Sequence, residues 1–254
     1  MNSHELQEKC REIRCSIVDM IGHLGVGHVG GSLSVVEALV TIYYRHMQID
    51  PSNPKMEGRD RFILSKGHAG PALYAVLADM GFFPKDMLYT LNQPGTLLPS
   101  HPDMLRTPGV DMTTGSLGQG LSCALGIAVG ARLKRDGARV YAILGDGESQ
   151  EGQVWEAALY AAQMKLDNLI ALTDFNGLQI DGPISQSNGL EPLHKKWDAF
   201  GWNTIVVDGH NIDEIDKALE IAKKASGKPS MIIMKRLKAR ASHSLSRQAP
   251  RTTT

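Results

Sequence analysis

The stretch VYAILGDGESQEG, residues 140–152, decides how the rest of the chain is read. VYAIL is a short apolar run of strand type, and GDG interrupts it at once. In a parallel sheet covered by helices, ligands sit just beyond the carboxyl ends of the strands. Gly145 and Gly147 let the backbone turn sharply and approach a ligand closely. Asp146 then projects a carboxylate at the strand end, and the helix expected after it offers free N–H groups that favour a diphosphate. A carboxylate facing phosphates is repulsive unless a cation lies between them, so Asp146 predicts Mg2+ or Ca2+ held by oxygen ligands. The next strand candidate, NLIALT, ends in DFNGLQIDG and places Asn176 at the same edge as a second oxygen donor, with a turn carbonyl as a natural third. A lone GDG is weak, because a strand-ending Asp is often only a helix N-cap. GDG with an Asn about thirty residues later, after the next strand, is far more specific.

Further β-rich runs, NTIVVD and SMIIM, follow, separated by the helical stretches WEAALYAAQMK, KKWDAF and IDEIDKALEIAKKA. Strands that are apolar throughout and alternate with helices predict a three-layer, doubly wound, mostly parallel α/β sheet. In the first half, Leu6, Cys10, Ile13, Ile17, Met20 and Leu24 recur on one face of a helix. The glycine-rich break GVGHVGGS comes next, and Ser34 with Glu37 forms a capping box ahead of VVEALVTIYYRHM. RFILS is a strand, SKGHAG a turn, PALYAVLADMG a helix, and 92–116 a long ordered loop before the helix GLSCALGIAVGARL.

Composition narrows the class. The chain has 254 residues, 42% of them hydrophobic, and 27 Lys+Arg balance 27 Asp+Glu. Those ordinary values exclude collagen, coiled coil and a wholly disordered chain. No apolar run reaches the roughly 18 residues of a membrane span, and the polar N-terminus has no signal-peptide core. Three cysteines without a C-x-x-C pattern make neither a disulfide framework nor a zinc site, so a reducing, cytoplasmic setting is expected and Cys10, Cys15 and Cys123 are read as packing residues. The zero net charge hides an asymmetry: Lys235–Thr254 holds six Lys/Arg and no acid. We divide the chain into an α/β domain over 1–234 and a basic, partly disordered tail over 235–254. The rest of the chain lacks the basic signature of nucleic-acid binders, so neither nucleic acid nor membrane is an expected partner.

Seven segments carry a family resemblance: GHVGGSLS (27–34), RDRFILSKGHAGPALY (59–74), HPDMLRTPGVDMTTGSLGQGLS (101–122), GDGESQEGQVWEA (145–157), DNLIALTDFNGLQIDG (167–182), WDAFGWNTIVVDGHN (197–211) and the KPSMIIMK end strand. In order and spacing they resemble the N-terminal, diphosphate-binding half of transketolase, most closely the short form in which that half is a separate subunit. The resemblance implies thiamine diphosphate with Mg2+ or Ca2+, the metal held by Asp146, Asn176 and the backbone carbonyl of Leu178. Gly147 matches the residue facing the diphosphate, and Gly115 and Leu117 match positions beside the aminopyrimidine. Glu151 and Glu156 match acids at the subunit interface near the cofactor, with Glu151 on the cofactor side.

Three of the nine histidines match the family's catalytic channel: His28, His68 and His101, each in a Gly- or Pro-flanked loop rather than on an apolar helix face. His28 and His101 are implied contacts for ketose oxygens, and His68 a neighbour of the diphosphate that helps move protons. Near-neutral pKa values suit imidazole to that work. His210, in DGH, is read as fixing a turn. The implied reaction is transfer of a two-carbon ketol unit from a ketose (phosphate) donor to an aldose (phosphate) acceptor.

The second, pyrimidine-binding domain of the family has no room after Met234, so a separate C-terminal subunit is the expected partner, in a heterotetramer of two chains of each kind. Four positions depart from the family pattern. Ser100 replaces a glycine before the HP pair. Arg236 stands where Thr is usual, and Ala239 and Ala241 where glycines are usual, so His243 is left out of the site. Two alternatives stay open: a diphosphate-binding subunit of a 2-oxo acid dehydrogenase or decarboxylase, and a non-catalytic paralogue.

Overall fold

Five short apolar runs become one parallel sheet in the computed structural model, which describes residues 1–179 and 182–236. They are β1 (Arg61–Leu64), β2 (Val140–Gly145), β3 (Leu169–Phe175), β6 (Asn203–Asp208) and β7 (Ser230–Lys235), in spatial order β1-β2-β3-β7-β6. The short pair β4 (Leu178–Gln179) and β5 (Gly182–Pro183) is antiparallel and stands apart. The helices are α1 (Ser3–Leu24), α2 (Val29–Leu33), α3 (Val36–Thr41), α4 (Gly70–Met80), α5 (Gln119–Lys134), α6 (Gly152–Gln163), α7 (Ile184–Ser187), α8 (Leu193–Ala199) and α9 (Ile212–Lys224).

The strand residues sort by parity into two cores. Tyr141, Ile143, Ile170, Leu172, Ile232 and Met234 pack against α1, α3, α4 and α9. Val140, Ala142, Leu144, Leu169, Ala171, Met231 and Ile233 pack against α5, α6 and α8. Successive strand residues point to opposite faces, so a sheet buried on both sides is apolar at most positions of its central strands, with Thr173 and Asp174 of β3 as buried exceptions. The doubly wound α/β expectation therefore holds. α4 is buried at nine of its eleven residues, and α1 buries Leu6, Cys10, Ile13, Ile17 and Met20 as its periodicity predicts. Leu24 is only partly buried, and Ile21 takes its place in the stripe.

Two expectations are corrected. The capping box sits at the start of α1, where Asn2 Oδ1 accepts from Glu5 N–H at 2.9 Å and Glu5 Oε2 accepts from Asn2 N–H at 2.7 Å. Ser34 and Glu37 do not cap: Ser34 Oγ donates to Asp174 Oδ2 at 2.6 Å, and Glu37 pairs with Arg14 and Arg236. Buried charged partners outcompete backbone N–H groups for these side chains. Cys15 is exposed rather than packed, whereas Cys10 is buried and Cys123 partly so. The last turn after α3, Ile42–His46, is π-helical. Among the described residues no helix is long and apolar enough to cross a membrane. The proposed tail boundary at 235 and His243 concern residues that, beyond Arg236, lie outside the described residues.

Candidate active site

The carboxyl ends of β1, β2 and β3 open on one cavity of about 710 Å3, lined by His28, Gly31, Lys66, His68, His101, Gly115, Leu117, Asp146, Gly147, Glu148, Asn176 and Leu178 among others. Residues separated by well over a hundred positions in the chain thus meet at one sheet edge. Of the expected site residues, Glu151 alone does not line this cavity. It is exposed at the N-cap of α6, and the interface acid Glu156 is exposed in that helix.

Asp146 follows β2 and is 3% exposed. Its Oδ2 accepts from the N–H groups of Asn176 at 2.9 Å and Gly177 at 2.7 Å, and its Oδ1 accepts from Gly147 N–H at 2.9 Å. One carboxylate thereby ties the turn after β3 to the turn after β2. Burial pushes its carboxyl up despite the N–H groups of Gly177 and Gly147, which favour the charged form. Such a group gains from a neighbouring cation. Among the described residues no three His, Cys, Asp or Glu side chains converge as a metal cluster. A cation here would instead draw on the Asp146 carboxylate, the Asn176 amide oxygen and the Leu178 carbonyl, an all-oxygen set that suits Mg2+ or Ca2+. The residues fit that group. After Gly147 the chain makes a 3-10 turn, Gly147–Gln150, before α6 begins at Gly152. The N–H groups just past Asp146 therefore belong to that turn, not to the long helix. A Cβ at Gly147 would stand 3.2 Å from the Gln179 side chain, so the bare backbone keeps this wall open.

The histidines arrive on three loops. His28 precedes α2, His68 sits in the 3-10 turn Gly67–Ala69 after β1, and His101 lies in the long loop before α5. The rings of His28 and His68 meet edge to face with centroids 5.4 Å apart. A Cβ on Gly31 would come within 3.0 Å of His68 Cδ2, and one on Gly115 within 3.0 Å of His101 Cδ2. Gly115 also has φ +137°, a conformation that side chains other than glycine's rarely adopt. The His101 loop is anchored by Tyr74, whose hydroxyl donates to Pro99 O at 2.7 Å, and by Thr114 N–H, which donates to Pro102 O at 3.1 Å. Ser100 is not among the residues of positive φ, so the missing glycine costs this loop nothing in backbone strain.

Burial, with Lys66, His28 and His101 nearby, pushes His68 down to about 4. His68 is thus neutral at pH 7 and able to accept or pass a proton. The folded chain binds fewer protons at His68 than the unfolded chain, whose histidine titrates at about 6.5. Its contribution to stability is present above about 6.5 and is lost as pH falls towards 4. His68→Gln is expected to flatten the fall of melting temperature between pH 6.5 and 4. An unchanged slope would show that His68 is not held neutral by the fold.

The motif reading missed Glu148, although it lies within the opening stretch. It is 2% exposed, and its Oε1 accepts from Ser65 Oγ at 2.5 Å and Gly118 N–H at 2.9 Å while Oε2 accepts from Gly145 N–H at 3.0 Å. It clamps the SKGH, SLGQ and GDG segments together. Also missed is Lys66, buried with its Nζ donating to Asp174 Oδ2 at 2.6 Å. A second cavity of about 720 Å3 lies on the other side of Asn176, by His210 and Arg236, and contains none of the three loop histidines. His210 fills its turn role in part, since its N–H donates to Asp208 Oδ1 at 2.9 Å, and its Nδ1 is 3.6 Å from Glu37 Oε1.

The family model for the transketolase thiamine diphosphate binding domain matches residues 6–248. The chain belongs to the transketolase family. It is 56% identical over 93% of its length to the 6-deoxy-6-sulfo-D-fructose transketolase subunit SqwG of Clostridium sp. (strain MSTE9), covering 86% of that protein. It is 41% identical over 90% of its length to an apulose-4-phosphate transketolase subunit of Actinobacillus succinogenes, covering 83% of that protein. Against mouse transketolase it is 39% identical but covers 37% of that chain. The crystal structure of transketolase from Campylobacter jejuni superposes with a TM-score of 0.87 at 35% identity, over 92% of this chain and 38% of that one. Relatives of matching length are named as subunits, which implies a partner subunit. The transketolase is a thiamine diphosphate-dependent transferase, and the alternatives among 2-oxo acid enzymes are not favoured.

Proposed function

We propose that this transketolase subunit forms the diphosphate side of the active site in a heterotetramer of two chains of each kind, and that its donor is a ketose with a sulfonate at C6. The observation that supports the site is the single cavity holding Asp146, Asn176 and the three loop histidines. The support for the donor is the 56% identity to a subunit named for 6-deoxy-6-sulfo-D-fructose, against 41% to one named for apulose 4-phosphate.

Bound at this edge, thiamine diphosphate would supply an acidic thiazolium carbon whose deprotonated form is the nucleophile for ketol transfer. The chain's own residues do the rest. Asp146, Asn176 and the Leu178 carbonyl hold the cation, and Gly147 lets the diphosphate approach the backbone. Gly115 and Leu117 flank the cofactor's ring, and Glu151 with Glu156 faces the partner. His28 and His101 hydrogen-bond the sugar oxygens and stabilise charge that grows on them, and neutral His68 relays a proton beside the diphosphate. The site loops also exclude water from one wall. Lys66 is the one Lys or Arg on this cavity wall among the described residues, and Asp174 already neutralises it. The sulfonate is therefore read from the partner's side, while the histidines read the carbonyl end.

With both subunits present, turnover of 6-deoxy-6-sulfo-D-fructose is expected to exceed that of fructose 6-phosphate in a coupled assay of aldose release. Equal or faster turnover of the phosphate would overturn the donor assignment. His28→Ala and His101→Ala should each lower kcat/KM for the donor by ~100-fold or more while leaving cofactor affinity unchanged. A loss confined to cofactor affinity would remove them from the sugar channel.

A further inference from the structure

Behind the cavity runs a chain of buried charges that the mechanism does not use. Lys66 lies on the cavity wall and pairs with Asp174, which is fully buried at the end of β3. Asp174 Oδ1 stands 3.4 Å from Arg236 Nε, close enough for ion pairing though not aligned as a hydrogen bond. Arg236 Nη1 donates to Glu37 Oε2 at 2.9 Å, and Arg14 Nη2 donates to Glu37 Oε1 at 2.5 Å. The signs alternate from the cavity to α1. Arg236 is the only cation that touches both carboxylates among the described residues, and its side chain is 1% exposed. It fits because Gly209 has no side chain: a Cβ there would lie 2.5 Å from Arg236 Nε and 2.6 Å from Cγ. Arg236 is also the position where the family usually carries Thr, and the transketolase reading gave it no role.

Asp174 is the junction of this chain with the active site. Besides Lys66 it accepts from Ser34 Oγ at 2.6 Å, and Ser34 Oγ also lies 3.1 Å from Gly31 O. Gly31 backs the His68 ring, and Ser34 closes α2, the helix that His28 precedes. Burial alone would push the Asp174 carboxyl up, and Lys66 and Arg236 outweigh it and hold it below its ordinary value. Glu37 behaves alike: burial opposes its charge, and His210, Arg236 and Arg14 hold it well down.

We propose that Arg236 is a positioning residue of the active site, bridging Glu37 and Asp174 so that Asp174 stays bonded to Lys66 and Ser34 and thereby fixes the loop walls that carry His28 and His68. Its consequence for catalysis rests on the transketolase reading of the cavity, but its test needs neither cofactor nor sugar. Removing one member of a buried pair leaves the others uncompensated, whereas removing two opposite charges together does not.

The test is histidine- and glycine-resolved NMR on the purified chain, with thermal melting. Arg236→Met should lower the melting temperature by roughly 10 °C. It should also move the His68 and Gly31 signals while leaving His194, in α8 on the opposite face of the sheet, in place. Arg236→Lys should return them towards wild type, and Glu37→Gln combined with Arg236→Met should recover at least half of the melting loss. Wild-type His68 and Gly31 signals in folded Arg236→Met would overturn the proposal. If that variant does not fold, the charge-neutral double variant serves instead: shifted His68 signals support the proposal and unshifted ones sink it. A transketolase reading that failed would show as absent cofactor binding in the wild type, with these signals unaffected.

Discussion

Asp146→Ala is expected to weaken cation-dependent thiamine diphosphate binding by ~100-fold or more, measured by calorimetric titration with and without Mg2+. The loss has two sources. The one carboxylate among the described residues in the proposed cation set disappears, and the diphosphate would then face its pocket without a bridging charge. The N–H groups of Gly147, Asn176 and Gly177 also lose their acceptor, so the turn bearing Asn176 and Leu178 is no longer tied to β2. Each backbone donor left unpaired costs about 1–3 kcal/mol, so a lower melting temperature should accompany the effect. Asp146→Asn separates the two sources, since its amide oxygen keeps one acceptor but not the charge. Binding within a few-fold of wild type in Asp146→Ala would show that the cation site lies elsewhere.

The chain alone is expected to transfer no ketol unit, and a pyrimidine-binding subunit should restore turnover. The described residues supply a reason. Asp146 and Glu148 are the carboxylates lining the cavity, and both are committed. Asp146 accepts from three backbone N–H groups, and Glu148 from Ser65, Gly118 and Gly145. Neither is left to reach a ring nitrogen of the cofactor and promote ionisation of its carbon acid. Among the described residues no free carboxylate lines the cavity, and relatives of matching length are named as subunits, so the acid is expected from a partner chain. A coupled assay across a titration of the partner chain measures this, and full turnover by the isolated chain would refute it. Exposed Glu151 and Glu156 are the residues of this chain through which the partner would meet the site.

Much of this was legible locally. VYAIL followed by GDG, and NLIALT followed by an Asn, specify strand ends by period, glycine content and spacing, and those signals survive any change elsewhere in the chain. The α1 stripe and the buried α4 were equally plain, because apolar periodicity reports the face a helix must hide. The Ser34–Glu37 capping box was a local reading that failed. Its sequence pattern is correct, but Asp174 lies 140 residues from Ser34, and Arg236 199 residues from Glu37. Nothing within a short window could show that each would find a buried opposite charge. Glu148 escaped for the same reason, since its three donors come from separate segments.

Residue order thus set the fold class, the strand ends and the oxygen donors at Asp146 and Asn176, because these depend on short-range periodicity and backbone freedom. Folding alone settled that the three histidines named from the resemblance line one cavity with Asp146, that His68 is neutral there, and that Arg236 stands between two buried carboxylates. Those are consequences of burial and of distance in space, and both arise only when the sheet gathers its remote segments along one edge.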